Sequence, residues 1–292
     1  TYADHFFDCL LYPTIVTKTA DRDEKEVHTV IEKWYNDGKY TPYPMEEVKQ
    51  VILHAMIRVP RHVRISRVFR DIPMINIEGG ANVPNLREEL HKIMDANGDV
   101  CECIRSREVK DRRVEPEDIH LCVHEFKASY AREFFISFES KEKKTEERVL
   151  HSFLRLRLPN SNNQTNNYIS ELKEAALIRE VHVYGQMIPT YNKIIGNNEM
   201  FKSFKNQHTG LGRRMIECAE NIARKEGFPK IAITSGVGVR NYYKKYDYRL
   251  EGDYMTKNIS KDTFYRDLIL FGMFLLICYM IKTYFIVAYR RF

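Results

Sequence analysis

Cysteine is sparse here, a leader-like segment is missing, and neither sign of charge dominates. Six cysteines in 292 residues, scattered apart from one pair, do not form the dense framework that staples small secreted domains, so the chain reads as reduced and cytosolic. No basic-then-apolar signal segment opens it. Thr1 leads at once into the strand-like "LLYPTIV", and a start inside a longer protein is expected. Lys and Arg number 46 against 40 Asp and Glu, a net charge of +6. That excess is compatible with RNA or a phosphate-rich partner and too small to require one. The length suffices for two domains, and the composition is that of an ordinary globular chain until the last 25 residues.

From Tyr12 to about Pro73, short apolar runs alternate with amphipathic stretches. "YPTIV" reads as a buried strand. "EEVKQVILHAMIRV" sets Val48, Val51, Ile52, Ala55 and Met56 on one helical face. "HVRISRVFRDIP" then alternates as a strand would, with Val63, Ile65 and Val68 apolar. Strand, helix, strand predicts an α/β layer. Arg61, Arg64, Arg67 and Arg70 accompany the last segment. Singly they are solvated charges; together they outline an RNA-facing surface. Cys101 and Cys103, at C-x-C spacing, supply half of a zinc site at most. His120, Cys122 and His124 follow only at a distance.

Beyond Leu121 the pattern changes. "EFFISFES" and "RVLHSFLRLRL" are strand-like runs joined by the charged "KEKKTEE", and "AALIREVHVYG" is another strand after an Asn-rich loop. "GLGRRMIECAENIARKEG" repeats Met215, Ile216, Ala219, Ile222 and Ala223 at helical spacing and stops at Gly227, where a C-cap belongs. "KIAITSG" is a strand, "RNYYKKY" a short helix and "YRLEGDYMTKNI" a hairpin-like pair. This order predicts an α+β domain around a mostly antiparallel sheet.

The long helix opens on "QHTGLGRR", Gln207 to Arg214. The leading N–H groups of a helix have no intrahelical acceptors, and the dipole there favours negative charge. Gly210 and Gly212 remove side chains that would hold a ligand away. The loop suits a phosphate or pyrophosphate; it is also the form of an ordinary turn.

A Q-x-x-G-x-G loop in this element order resembles the GNAT acetyltransferases. "IREVHVYG", "QHTGLG", "KIAITSGVGVRNYYKKYDYRLEGDYM", "RVFRDIPM" and "REV" resemble, more narrowly, the family of the catalytic subunit of Elongator, from about Tyr12 to Ile259. The resemblance implies an α+β fold class: the closing part of a radical-SAM α/β barrel over residues 1–95, a linker subdomain over 96–120, and a GNAT N-acetyltransferase domain over 121–260. It implies acetyl-CoA where the third strand splays from its neighbour. The pantetheine arm would pair with the backbone of Glu180, Val181, His182 and Val183. The pyrophosphate would lie on Gly210, Leu211, Gly212, Arg213 and Arg214. The Tyr243 phenol would reach the thioester as the catalytic residue, with Tyr242 packing. His182 either faces the cleft or is a satisfied sheet histidine.

The family's whole reaction is tRNA wobble-uridine carboxymethylation, with other Elongator subunits as partners. It uses S-adenosylmethionine and a 4Fe–4S cluster. No C-x-x-x-C-x-x-C occurs here, so both groups are expected from a part of the protein outside these residues. This chain would supply acetyl-CoA binding and, through Arg61, Arg64, Arg67 and Arg70, part of the tRNA surface. Ser106 stands where the family pattern carries a further cysteine, which weakens zinc at Cys101 and Cys103. Asp247 replaces the family's usual turn glycine; Asp tolerates a left-handed backbone better than most residues. Alternative readings are a protein (histone) lysine acetyltransferase and a non-catalytic acetyl-CoA-binding scaffold.

The sequence closes on "LILFGMFLLICYMIKTYFIVAYRRF", uncharged from Leu268 to Ile281 and apolar again after Lys282. About 20 apolar residues span a bilayer, so a single transmembrane helix is expected over 268–288. It would anchor the chain by its tail on the cytosolic face of a membrane, the mitochondrial outer membrane favoured over the endoplasmic reticulum. A buried C-terminal helix is the alternative.

Overall fold

In the computed structural model, residues 15–16, 30–66, 68, 77–80, 83, 85–110, 112, 114, 116–141, 147–160, 168–185 and 210–260 are described. Two compact units divide the chain, Thr1–Val109 with Lys141–Leu150, and Lys110–Ser140 with His151–Phe292.

The first unit holds a two-stranded antiparallel sheet, β1 (Ile15–Val16) and β2 (Ile77–Gly79), with helices α1 (Val30–Asn36), α2 (Met45–Arg58), α3 (Leu86–Asn97) and α4 (Ile104–Arg107). In α2 the buried residues are Val48, Ile52, Leu53 and Met56, while Val51, expected inside, is 54% exposed. Helix α3 buries Leu86, Leu90 and Met94, one residue per turn, and ends at Gly98 with φ of +73°. These side chains share a core with Ile65, Val68, Cys101 and Cys103.

The strand expected in "HVRISRVFRDIP" is corrected over its described part, since residues 62–66 form no strand. Its carbonyls are satisfied otherwise. Val63 O accepts the Ile104 N–H at 3.0 Å. Ile65 O accepts Arg87 Nη2 at 2.7 Å, and Ser66 O accepts Arg105 Nη1 at 2.5 Å. Guanidinium donors take the place of a ladder.

The second unit is a seven-stranded sheet in the order β3-β4-β5-β6-β7-β9-β8. Its strands are β3 (His120–Ala128), β4 (Ala131–Lys141), β5 (Arg148–Pro159), β6 (Ala175–Val183), β7 (Lys230–Thr234), β8 (Arg249–Glu251) and β9 (Tyr254–Asn258). The pairs β3–β4, β5–β6, β7–β9 and β8–β9 are antiparallel, and β6–β7 is parallel. A parallel pair needs a crossover, and helix α5 (Leu211–Lys225) lies in the connection from β6 to β7. The short α6 (Arg240–Lys244) follows β7.

Helix α5 buries Met215, Ile216, Ala219 and Ala223 in a core shared with Ile136, Phe138, Leu154, Ile178 and Ile231. It closes as expected at Gly227, where φ is +84°. There the Gly227 N–H donates to Arg224 O and the Phe228 N–H to Ala223 O, the paired bonds of a Schellman cap. Glu220, on the same helix, is buried and accepts from Tyr248 Oη at 2.9 Å and Lys257 Nζ at 3.0 Å.

One part of the expected fold class is corrected. Among the described residues no helix is long and apolar enough to cross a membrane. The longest, α5, has 15 residues, or about 22 Å at ~1.5 Å per residue against a hydrocarbon core of about 30 Å. The expected span 268–288 lies outside the described residues. The single C-terminal transmembrane helix, the membrane as a partner, and the tail-anchored place on the mitochondrial outer membrane or endoplasmic reticulum are withdrawn with it.

Candidate functional site

Strand β6 has two different halves. Its first residues pair with β7, from Ala175↔Lys230 to Ile178↔Ile233, and the ladder stops there. On its other side β6 stays paired with β5 as far as Ser152↔Val183, but with a register shift between Arg155 and Leu156 that leaves Arg179 without an opposite residue. A bulge adds twist and bends its strand. It falls where β6 parts from β7. Among the described residues no strand pairs with Glu180–Val183 on the β7 side, so this edge has backbone groups open to an added extended chain.

The N-terminus of α5 lies beside that edge. Gly210, at φ +76°, is its N-cap and supplies no side-chain cap. A Cβ built on Gly212 would stand 3.6 Å from Val183 Cγ2 and 2.8 Å from Tyr242 Oη. So the end of β6, the start of α5 and Tyr242 of α6 converge, and a side chain at Gly212 would have to displace the Tyr242 hydroxyl. The first turn of α5 contains no acidic residue. It carries Arg213 and Arg214 instead, against the helix dipole, as an anion-binding turn does. Arg213 is engaged by Glu217 at 2.7 Å and lies over the Tyr246 ring. The Arg214 guanidinium lies over the Phe138 ring, 4.5 Å from its centroid. Leu211 is buried in the core.

The two tyrosines of α6 differ. Tyr243 is only 7% exposed and belongs to the main core, edge-on to Tyr242 and Tyr248. Burial raises its phenol above the ordinary value. Tyr242 is 36% exposed and stands against Gly212; burial first, then its hydrogen bond with Tyr246, raises its phenol as well. The contact of Tyr242 with Gly212 has no signal in the sequence.

The side chains of Glu180 and His182 meet on one face of β6. His182 Nε2 lies 3.2 Å from Glu180 Oε2, and Arg155, directly across on β5, pairs with the other carboxylate oxygen. Burial pushes the Glu180 carboxyl up, but His182 and Arg155 outweigh it and hold the group below its usual range. The His182 ring stacks on Phe153, its cross-strand neighbour, with centroids 5.1 Å apart. Val181 and Val183 pack instead against the core that contains α5. Sequence reasoning missed Arg155 and Phe153, which matter only through a register that the sequence does not display.

Of the arginines expected to face RNA, Arg61 pairs with Glu102 at 3.2 Å and Arg64 with Glu108 at 3.3 Å. Arg67 and Arg70 lie outside the described residues. Cys101 and Cys103 are buried together. The hydrogen bond to Cys103, then burial, keeps the Cys101 thiol protonated. Cys103 Sγ lies 3.2 Å from Ser106 Oγ. Among the described residues no group of three or more His, Cys, Asp or Glu is arranged to hold a metal.

Comparison with known proteins adds the family. The Radical_SAM C-terminal domain family matches residues 11–96. A tRNA uridine(34) acetyltransferase of Methanocaldococcus jannaschii is 36% identical over 258 residues, 86% of this chain and 43% of its own length. Elongator complex protein 3 of Drosophila melanogaster is 34% identical over 258 residues, 86% of this chain and 42% of its own. The solved structure of the archaeal Methanocaldococcus infernus Elp3 with an N-terminal deletion superposes at a TM-score of 0.66. It is 34% identical, covering 85% of this chain and 54% of that one. The chain is a homologue of these Elongator-type proteins. It spans less than half the length of the two curated relatives described. Several homologues bear the name of an enzyme, tRNA uridine(34) acetyltransferase. The matched 86% of the chain extends through both units.

Proposed function

We propose that this chain binds acetyl-CoA in the cleft between the open edge of β6 and the end of β7, and serves an Elongator-type modification of the tRNA wobble uridine. The carrying observation is the parting of β6 from β7 after Ile178, with α5 starting beside the free edge. The pantetheine amides pair with the backbone of Glu180, Val181, His182 and Val183. The pyrophosphate takes the N–H groups from Gly210 to Arg213, the Arg214 N–H being donated to Gly210 O, with the Arg214 side chain as its cation. The Tyr243 phenol, which has no hydrogen-bond partner among the described residues, is the donor for the thioester sulfur. Residues 1–95 form the end of a radical-SAM barrel, 96–120 a linker and 121–260 the acetyltransferase domain. Arg61 and Arg64 contribute to the tRNA surface, sharing their charge with Glu102 and Glu108.

Acetyl-CoA fits the residues present: an open strand edge and a first helical turn where a Cβ would collide. A 4Fe–4S cluster does not fit them, because no three cysteines have the spacing for one.

Calorimetry with acetyl-CoA and with acetyl-phosphopantetheine tests the reading. One-site binding of both, the first tighter by the contribution of the α5 turn, supports it. A folded chain that binds neither overturns it.

A further inference from the structure

We propose that His182, oriented by Glu180, is the general base that delivers water to the carbonyl of an acyl-CoA thioester held along β6. This deepens the proposed function and rests on its placement of acetyl-CoA.

His182 lies on the stretch of β6 that no longer pairs with β7, and its side chain is 47% exposed. Three neighbours fix it. Tyr184 stacks on the ring with centroids 6.4 Å apart. Phe153 holds the ring plane by stacking at 5.1 Å, and Glu180 fixes its rotation through the 3.2 Å contact at Nε2. Glu180 is itself held by Arg155. With Nε2–H donated to the carboxylate, the lone pair sits on Nδ1, which has no hydrogen-bond partner among the described residues. A base needs an oriented ring, a free nitrogen and access to water. No other described histidine of this unit combines them beside the open edge. His151 is fully buried with Nε2 at 2.8 Å from Ser140 Oγ. His120 and His124 are on β3, at the far edge of the sheet.

The chemistry balances without an oxidant or reductant. Nδ1 takes a proton from water as the water oxygen attacks the carbonyl carbon. The tetrahedral species collapses with cleavage of the C–S bond, and the imidazolium returns the proton to the CoA thiolate. One water is consumed, and one carboxylic acid and one CoA thiol leave. Glu180 stays ionised throughout and acts as a positioning residue.

The test measures CoA release from acetyl-CoA chromatographically, with tRNA present, alongside calorimetric affinity. His182→Ala and His182→Gln should each slow release by about 100-fold, within the range for loss of a general base, and bind acetyl-CoA within about twofold of the wild type. Added imidazole should restore part of the rate to His182→Ala and none to His182→Gln, where the site is filled. Glu180→Gln should slow release by roughly tenfold at unchanged affinity, while Glu180→Asp keeps more of the rate. Variants that bind acetyl-CoA and release CoA at the wild-type rate would overturn the assignment, as would a wild-type chain that binds acetyl-CoA and releases none. A wild-type chain that binds no acetyl-CoA overturns the cleft reading itself, and this step with it.

Discussion

Replacing Gly212 by Glu separates helix stability from ligand binding. The new Cβ would meet Tyr242 Oη at 2.8 Å and Val183 Cγ2 at 3.6 Å. The closer of these is the tip of a side chain that is 36% exposed, so Tyr242 can swing aside. Losing a helical glycine contributes up to ~1 kcal/mol, and a carboxylate in the first turn another ~0.3–1 kcal/mol through the dipole. Stability should therefore hold or rise. Binding should collapse. A carboxylate about 5 Å from one pyrophosphate charge, at an effective dielectric near 20, costs about 3 kcal/mol, or roughly two orders of magnitude in Kd. Calorimetry with acetyl-CoA and thermal melting on the same preparation give both numbers. A folded Gly212→Glu chain with wild-type affinity would refute a pyrophosphate at the α5 N-terminus. Gly212→Ala, which adds bulk without charge, should fall between.

Tyr243→Phe should slow turnover of bound acetyl-CoA more than Tyr242→Phe does, whereas Tyr242→Phe should act mainly on Kd; steady-state rates with parallel calorimetry check the ranking, and the reverse order would exchange the two roles. Burial holds His151 down to about 4 from an ordinary 6.5, against the pull of Glu139. Its stabilisation is thus complete above pH ~6.5 and is lost as pH falls through about 4, at ~1.4 kcal/mol per pH unit and at most ~3 kcal/mol in all. Denaturation midpoints across that window should decline for the wild type and less steeply for His151→Gln. Asp247 has φ of +66°, so Asp247→Gly should raise the melting temperature by about 2 °C and Asp247→Val lower it, since a β-branched residue tolerates that backbone worst.

Where a segment's structure follows from its own residues, the sequence was readable. The apolar spacing of α5 and the glycine after it define a helix and its cap locally, and the β8–β9 hairpin follows from alternation around Gly252. Asp247 was expected to tolerate a left-handed backbone, and it adopts one. Long-range partners were not readable. The stretch 62–66 alternates like a strand, yet Arg87, Arg105 and Ile104 claim its carbonyls from 22 to 41 residues away. Strand β3 was missed because it exposes Leu121 and Val123 at the sheet edge, so its alternation does not separate inside from outside. Glu220 reads as a surface residue of an amphipathic helix until Tyr248 and Lys257 arrive from elsewhere in the chain. In the site, "AALIREVHVYG" was legible as a strand and the glycine loop as a helix start, whereas the bulge at Arg179 and the Glu180–His182–Phe153 grouping depend on pairing with β5.

Amide hydrogen exchange with and without acetyl-CoA tests the central claim most directly, because the open edge of β6 is a statement about particular backbone groups. Ligand should slow exchange in the peptide spanning 179–184 and in the first turn of α5, and leave β3 and β9 unchanged. Saturating acetyl-CoA that leaves both segments exchanging as in the free, folded chain would contradict binding along β6.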